Sequence, residues 1–406
     1  MKVLLIAANT ERINMVSLPL GLAFVAAALE RHGHEVELVD LLFEEDSNTS
    51  LRRTIENFEA KCIGISVRNI DDQVQAQTQF LLEKVKDVVA LCRAHSKAPI
   101  VLGGAGYSIF PQAALDYLQA DYGIQGEGEF AFLEFIDKLA KKAPLHNVAG
   151  LYVRGKGLGH PRHFAKDPGA IIFPDPYQLA KPELDRETII PVQARRGCPF
   201  TCTYCSTPQI EGRNFRKQAP AEVAEWLSDW VETGFGNFFF VDNVFNYPPD
   251  FAKEICRKII AKGLDISWNC IIYPKKVDAE LAGLMARAGC TQASIGFESG
   301  SDKILAGLGK KYSIEEVREV FRILQEYQIQ RMGFLLFGAP GETKETVLES
   351  LDFADSLRPD TLKITIGIRI YPQTELADIA RQEGVISRDD NLRPPDLMRF
   401  YHDTNS

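Results

Sequence analysis

Apolar and polar positions along this chain follow two alternating periods. Residues 3–8 form an unbroken apolar run, the pattern of a strand buried on both faces. Residues 20–31 carry apolar positions at helical spacing and stop just before Gly33, a residue suited to ending a helix. The alternation continues with strands at 36–39, 62–67, 100–102 and 122–125 and helices at 51–60, 72–94, 113–119 and 129–142. Strands separated by helices predict a parallel, doubly wound sheet with right-handed connections.

Beyond residue 143 the pattern breaks. Pro144, Pro161, Pro168, Pro174, Pro176 and Pro182 interrupt any helix. Residues 151–153 and 170–173 are predicted to pair as a hairpin within this linker. Alternation then returns, with strands at 189–194, 237–241, 267–272, 292–297, 331–337 and 361–370. Helices are expected between them at 222–233, 250–262, 278–288, 314–327 and 344–357. Six strand–helix units are fewer than the eight of a closed barrel and fit a barrel open on one side. The expected organisation is a first domain at 1–143, a linker with a small β element at 144–187, a barrel at 188–375 and a short extension at 376–406.

Composition narrows the class only a little. The 406 residues are 45% hydrophobic and 25% charged, an ordinary globular balance that excludes global disorder. The net charge of −9 lacks the footprint of a general nucleic-acid binder, so no nucleic-acid partner is expected. The longest apolar run, 18–29, covers about twelve residues, short of the roughly twenty a membrane span needs. The N-terminal apolar stretch reaches Glu11 and Arg12 quickly and reads as a buried strand rather than a leader. A cytoplasmic protein without a membrane span is therefore expected.

Cysteine placement changes the picture more. Cys62, Cys92, Cys256, Cys270 and Cys290 are scattered, whereas Cys198, Cys202 and Cys205 fall within eight residues. Their spacing, C-x3-C-x2-C, follows a predicted strand and so lies at its C-terminal end, where parallel α/β folds place their chemistry. Three thiolates on so short a loop can hold three irons of a [4Fe–4S] cluster and leave the fourth open to a ligand. Structural zinc is the competing metal; it prefers four closed ligands, and the loop holds no fourth Cys or His. Arg195 and Arg196 flank the loop, either compensating its charge or lying in solvent. Arg213, Arg216 and Lys217 read as a solvated basic run.

With this motif after the first strand of a six-unit barrel, the chain resembles the radical S-adenosylmethionine (SAM) superfamily. The resemblance implies a [4Fe–4S] cluster on Cys198, Cys202 and Cys205, with SAM on the open iron. It places Tyr204 near the adenine and Asp242, which follows the second strand, near the SAM methionine moiety. Glu298 would accept hydrogen bonds from the ribose, with Ser299 beside it. Gly338 would lie in a glycine-bearing loop after the fifth strand, and Arg369 would end the sixth. The family often reads Tyr-Pro-Gly-Thr after that strand; here Gln373 replaces the glycine.

The first domain resembles the cobalamin-binding, Rossmann-like (flavodoxin-like) domain of such enzymes. The matching residues are Leu18, Pro19 and Gly21 at the first helix, Gly103, Gly104 and Gly106 after the fourth strand, and Gly126, Glu127 and Gly128 after the fifth. The loop after the first strand reads Asn9-Thr10-Glu11-Arg12-Ile13-Asn14 and lacks the cobalt-ligating histidine of cobalamin-dependent methionine synthase and mutases, as many radical SAM relatives do. Ser66, Arg68 and Asn69 would then approach the lower face of cobalamin, with Arg68 discouraging a lower ligand.

Together the two resemblances imply a class B-type enzyme that transfers methyl from methylcobalamin to an unactivated carbon through a substrate radical. Non-methylating ring contraction, cyclisation or C–C coupling remain alternatives, followed by tRNA methylthiolation and a redox or cobalamin sensor. The resemblance also implies a small-molecule or natural-product substrate and an external electron donor of flavodoxin or ferredoxin type. Because little sequence follows the sixth strand, a partner subunit completing the substrate site is a further expectation, with residues 146–187 as a candidate lid.

Overall fold

Short strands of aliphatic residues build the first sheet of the computed structural model, which describes residues 1–11, 18–44, 46–72, 79–164, 172–180, 184–387 and 400–401. The described residues fall into two compact units, one lying mainly before Ala180 and one mainly after Leu184.

In the first unit, strands β1 (Lys2–Ala7), β2 (Glu35–Asp40), β3 (Cys62–Ser66), β4 (Ile100–Gly103) and β5 (Tyr122–Ile124) are parallel in the order β2-β1-β3-β4-β5. Successive residues of β1 feed opposite cores. Leu4 and Ile6 pack with Val85, Val89 and Leu115, while Val3 and Leu5 pack with Leu22, Leu29, Phe132 and Phe135. Burial on both faces is why the strand reads as one apolar run. The helices Leu20–Arg31, Ser47–Phe58 and Gly128–Ala140 lie close to their expected bounds.

Two expectations fail here. The helix expected at 72–94 begins only at Leu82, after Asp71 and Phe80 form an antiparallel bridge; residues 73–78 lie outside the described residues. Of the hairpin expected between 151–153 and 170–173, residues 170–171 lie outside the described residues; β6 (Leu151–Val153) has both edges taken, by β5 and by β7 (Gly157–Leu158). A tight turn with Gly155 and Gly157 at positive φ brings β6 and β7 together, and β6 extends the sheet antiparallel to β5.

The second unit carries β8 (Ile190–Val192), β9 (Arg195–Arg196), β10 (Arg216–Lys217), β11 (Asn237–Phe240), β12 (Ser267–Ile272), β13 (Cys290–Glu298), β14 (Gln330–Phe337), β15 (Thr361–Ile366), β16 (Ile368–Arg369) and β17 (Phe400–Tyr401). Six of these form one parallel sheet in the consecutive order β8-β11-β12-β13-β14-β15, with β8 and β15 at its edges. This is the partial barrel. Buried and half-buried positions alternate along β12 and β14. Buried Phe238, Phe240, Trp268 and Phe297 fill the core. The sixth strand is shorter than the predicted 361–370: it breaks at Gly367, and Ile368–Arg369 turns away to pair with β17. No helix among the described residues is long and apolar enough to cross a membrane.

Candidate functional site

The cysteine loop leaves the barrel through a second, shorter pairing. After β8, Arg195–Arg196 turns aside to pair antiparallel with β10, and Cys198 follows. This turn is fixed from below by Asp242, whose Oδ1 accepts hydrogen bonds from the Ala194 and Arg195 N–H groups at 2.9 and 3.0 Å. The residue expected near the SAM methionine moiety is thus 1% exposed and engaged with the backbone that launches the loop. The arginines are not solvated: Arg195, Arg196 and Arg216 are all buried. The Arg195 guanidinium lies 4.7 Å from the Phe215 ring centroid, and Arg196 Nε donates to Gln193 Oε1 at 2.8 Å. Of the basic run expected to be solvated, Arg213 is exposed and Lys217 half-buried, and Arg216 is the exception, buried where β10 pairs with Arg196; charge alone carries no record of such partners.

Within the loop, the Cys205 N–H donates to the Cys202 carbonyl at 3.3 Å. Cys198 is buried, whereas Cys202 and Cys205 are half-buried. Burial pushes the Cys198 thiol up to about 11, and the charges of Cys205 and Cys202 add to this. Burial also raises Cys202, against the pull of the Lys310 ammonium. Phe200 of the loop stacks on Tyr273 at 4.0 Å between ring centroids. Among the described residues no group of three His, Cys, Asp or Glu closes on a single metal ion. In a cubane each thiolate holds a different iron, so three separate thiols on one loop are the donor set that fits.

Facing the loop is the end of β13. Glu298 sits at φ +62° beside an irregularity in the β13–β14 register, a left-handed backbone uncommon for a glutamate. Its Oε1 accepts from the Tyr204 hydroxyl and from Lys310 Nζ, both at 3.0 Å, and Lys310 Nζ also donates to the Tyr204 hydroxyl at 3.0 Å. Both bonds fall on Oε1; among the described residues Oε2 has no hydrogen-bond partner. The structure thus brings Tyr204 of the cysteine loop and Glu298 together and adds Lys310, which sequence reasoning missed. Lys310 follows a short helix twelve positions after Glu298, away from any strand end where site residues are sought. Burial alone would lower the Lys310 ammonium; Glu298, Tyr312 and Tyr204 override this and hold it well above its ordinary value. Burial beside Glu298 likewise raises the Tyr204 hydroxyl well above its usual range.

The remaining barrel residues are placed differently. Ser299 is fully buried, its hydroxyl 2.9 Å from that of Ser350 and accepting from the Ser301 N–H. Gly338 N–H donates to the buried Glu342 carboxylate, closing the loop after β14. Arg369 lies on β16, beyond the break at Gly367. Gln373, in the place of the family's glycine, adopts φ +58°.

In the first unit, a recess opens at the C-terminal ends of β1 and β3, lined by Asn9, Thr10, Glu11, Ser66, Arg68 and Asn69 among others. In the order β2-β1-β3-β4-β5 this is the point where the chain switches direction across the sheet, the crevice where such folds bind ligands. Gly104 and Gly106 serve a neighbouring purpose. A Cβ on Gly104, at φ +98°, would fall 2.6 Å from the Val67 carbonyl oxygen, and one on Gly106 would fall 2.9 Å from that of Arg68. These glycines let the β4 loop lie directly against the β3 loop that carries Ser66, Arg68 and Asn69. Ser108, unremarked in the sequence, ties this loop to the next: its hydroxyl donates to the Gly104 carbonyl and accepts from the Gly126 N–H. Gly103 ends β4.

Leu18 is buried, Pro19 precedes the first helix, and Gly21 is exposed with open space around its Cα. Glu127 precedes the helix Gly128–Ala140, and Gly128 lies against Val25. The histidine-free loop is described only through Glu11; residues 12–14 and Ser17 lie outside the described residues. The recess is small, about 260 Å³ including the space open to solvent, and most of its polar lining comes from the loops after β1 and β3.

Comparison with known proteins agrees with both halves. The model of the radical SAM superfamily matches residues 192–354, and that of the B12 binding domain matches residues 7–136. The chain is 28% identical over 393 residues to an uncharacterized methyltransferase of Pyrococcus horikoshii, covering 94% of this chain and 83% of that protein. It is 23% identical over 467 residues to tryptophan 2-C-methyltransferase of Streptomyces laurentii, covering 97% and 78% respectively. Among solved structures, it resembles the radical SAM methyltransferase TsrM of Kitasatospora setae with cobalamin and [4Fe-4S] cluster bound. The TM-score is 0.85 at 25% identity, over 96% of this chain and 76% of that one.

Proposed function

This chain is a radical SAM enzyme with an N-terminal B12-binding domain, and from that premise we propose that it methylates a carbon of a small molecule, with SAM as the methyl source and cobalamin as the carrier. When bound, the cluster and SAM supply a hydrogen-abstracting radical, and cobalamin supplies a transferable methyl group. The protein's own part is positional. Cys198, Cys202 and Cys205 hold three irons, Glu298 Oε2 receives the ribose hydroxyls, and Tyr204 borders the adenine. In the first unit, Ser66, Arg68 and Asn69 would line the cobalamin recess, with Gly104 and Gly106 letting the β4 loop pack against the loop that carries them and Gly103 and Gly126 lying in the neighbouring strand-end loops.

The observation that carries this reading is the convergence of Tyr204, Glu298 and Lys310 on the cysteine loop. Similarity to enzymes acting on tryptophan and on a cytidylyl phosphonate supports a small-molecule substrate here. A low-potential donor of flavodoxin or ferredoxin type would supply electrons, and the protein would work in the cytoplasm.

The test uses anaerobically reconstituted protein loaded with hydroxocobalamin, a reductant and SAM carrying a deuterated methyl group. The expected result is label in the bound corrinoid, recovered by mass spectrometry, together with 5′-deoxyadenosine. Formation of 5′-deoxyadenosine with an unlabelled corrinoid would overturn the methylation and leave a non-methylating radical enzyme.

A further inference from the structure

We infer that Lys310 is a positioning residue of this site: its ammonium joins the cysteine loop to the carboxylate at the end of β13 and so fixes how Glu298 meets its ligand. The inference rests on the functional reading above and goes beyond it in naming what holds the ligand-binding carboxylate.

A lysine ammonium has three protons to donate and accepts nothing. Here it meets two acceptors on two elements: Glu298 Oε1 at the end of β13 and the Tyr204 hydroxyl of the cysteine loop, each 3.0 Å away. Its Nζ also lies 5.2 Å from the Tyr204 ring centroid. The side chain is 6% exposed, so these contacts are little screened by water.

The backbone delivers Lys310 to this place deliberately. The helix Asp302–Gly307 is followed by Gly309 at φ +73°, where a Cβ would fall 2.4 Å from the Thr201 carbonyl oxygen. The Thr203 N–H donates to the Leu308 carbonyl at 3.1 Å, and the Lys310 N–H to that of Leu305 at 2.9 Å. Residues 308–310 therefore lie directly on the backbone of the cysteine loop. Gly309 is the residue that permits the contact, and Lys310 extends from it to β13.

Two consequences follow. First, Glu298 holds a left-handed backbone conformation that its surroundings must enforce. Lys310 and Tyr204 together hold Oε1 and leave Oε2 to the ligand. Second, the ammonium adds positive charge beside a loop of three thiolates, so it favours the reduced, more negative state of a cluster held there.

The experiment compares wild type, Lys310→Met and Lys310→Arg as anaerobically reconstituted full-length protein. It measures iron and sulfide content, SAM affinity by equilibrium binding, and cluster midpoint potential by EPR-monitored titration. Lys310→Met is expected to keep its iron and sulfide and to bind SAM about 10- to 100-fold more weakly, the range for losing a hydrogen bond to a charged group. Its midpoint potential is expected to move to a more negative value, and Lys310→Arg is expected to recover most of both properties. Unchanged affinity and potential in Lys310→Met would overturn the inference. Loss of the cluster in both variants would also overturn it, since Lys310 would then only hold the fold. If wild type itself fails to bind SAM, the functional reading falls first and this inference with it.

Discussion

The Asp242 carboxylate and the Arg195 guanidinium stand 4.0 Å apart with each side chain only 1% exposed. Asp242 also accepts the N–H groups of Ala194 and Arg195, so one carboxylate secures both the charge and the backbone turn from which the cysteine loop departs. Removing one member of a buried pair leaves the other uncompensated and costs about 3–5 kcal/mol. Asp242→Ala is therefore expected to lose roughly that much stability in urea unfolding of the apoprotein, and to take up less iron on reconstitution. A loss below about 1 kcal/mol, the range of an exposed pair, would show that the turn holds without it.

Glu298→Ala removes the oxygen offered to the ribose and the partner of Lys310 in one change. Hydrogen bonds to charged groups are worth about 1.5–3 kcal/mol, so SAM affinity is expected to fall at least about tenfold, measured by equilibrium binding to the reconstituted protein. Glu298→Gln keeps a carbonyl oxygen but leaves the buried Lys310 without its counter-charge, and is expected to fall between the two.

Gln373→Gly restores the glycine that the family often places after the sixth strand. A side chain at φ +58° costs about 1–2 kcal/mol, whereas glycine's extra freedom in the unfolded chain costs roughly 0.5–1 kcal/mol. The difference favours the variant, so unfolding should show a gain of about 0.5–1 kcal/mol. A destabilised variant would mean the Gln373 side chain makes a compensating contact.

Asp278 caps the helix Ala279–Arg287 by accepting the Leu281 N–H at 2.7 Å and pairs with Lys253 at 2.8 Å. Burial opposes its ionised form, but the Lys253 bond and the Leu281 N–H outweigh it, holding its pKa below the usual value of 3.8. A carboxyl depressed in the fold contributes stability above its unfolded pKa and loses it as pH falls through the folded one. Asp278→Ala is therefore expected to cost about 1 kcal/mol at pH 7, with the difference from wild type closing below about pH 3.8. A pH-independent difference in unfolding free energy would contradict this.

Much of this architecture is legible from apolar periodicity, because strands buried on both faces and helices buried on one leave unambiguous runs. Helix 20–31 and strand 267–272 match their predicted bounds to the residue. What escaped are features without periodicity. The 195–196 to 216–217 pairing involves two residues on each side, and β6 pairs across the short Gly155 turn with β7, a strand of two residues. At the site, the cysteine spacing and Glu298 are visible because they sit at strand ends. Lys310 was hidden because its place depends on a short helix and on Gly309 lying against Thr201. Asp242 was visible as a strand-end carboxylate, but its engagement with the Ala194 and Arg195 backbone is a matter of three-dimensional proximity.

In the first unit, Gly104→Ala would place a methyl 2.6 Å from the Val67 carbonyl oxygen at a φ that alanine rarely adopts. The β4 and β3 loops would have to part. The variant is expected to lose about 1–3 kcal/mol of stability and to retain substoichiometric corrinoid after cobalamin loading and gel filtration. Normal retention would place cobalamin elsewhere than the recess beside Ser66 and Arg68.

The central claim is that three cysteines leave one iron for SAM. It is tested most directly by electron–nuclear double resonance on the reduced, anaerobically reconstituted protein with SAM labelled with nitrogen-15 in its amino group and oxygen-17 in its carboxylate. The account predicts hyperfine coupling from both labels to the cluster spin, lost in Cys198→Ala. A protein that loads zinc, or a [4Fe–4S] signal showing no coupling to either label, would contradict it.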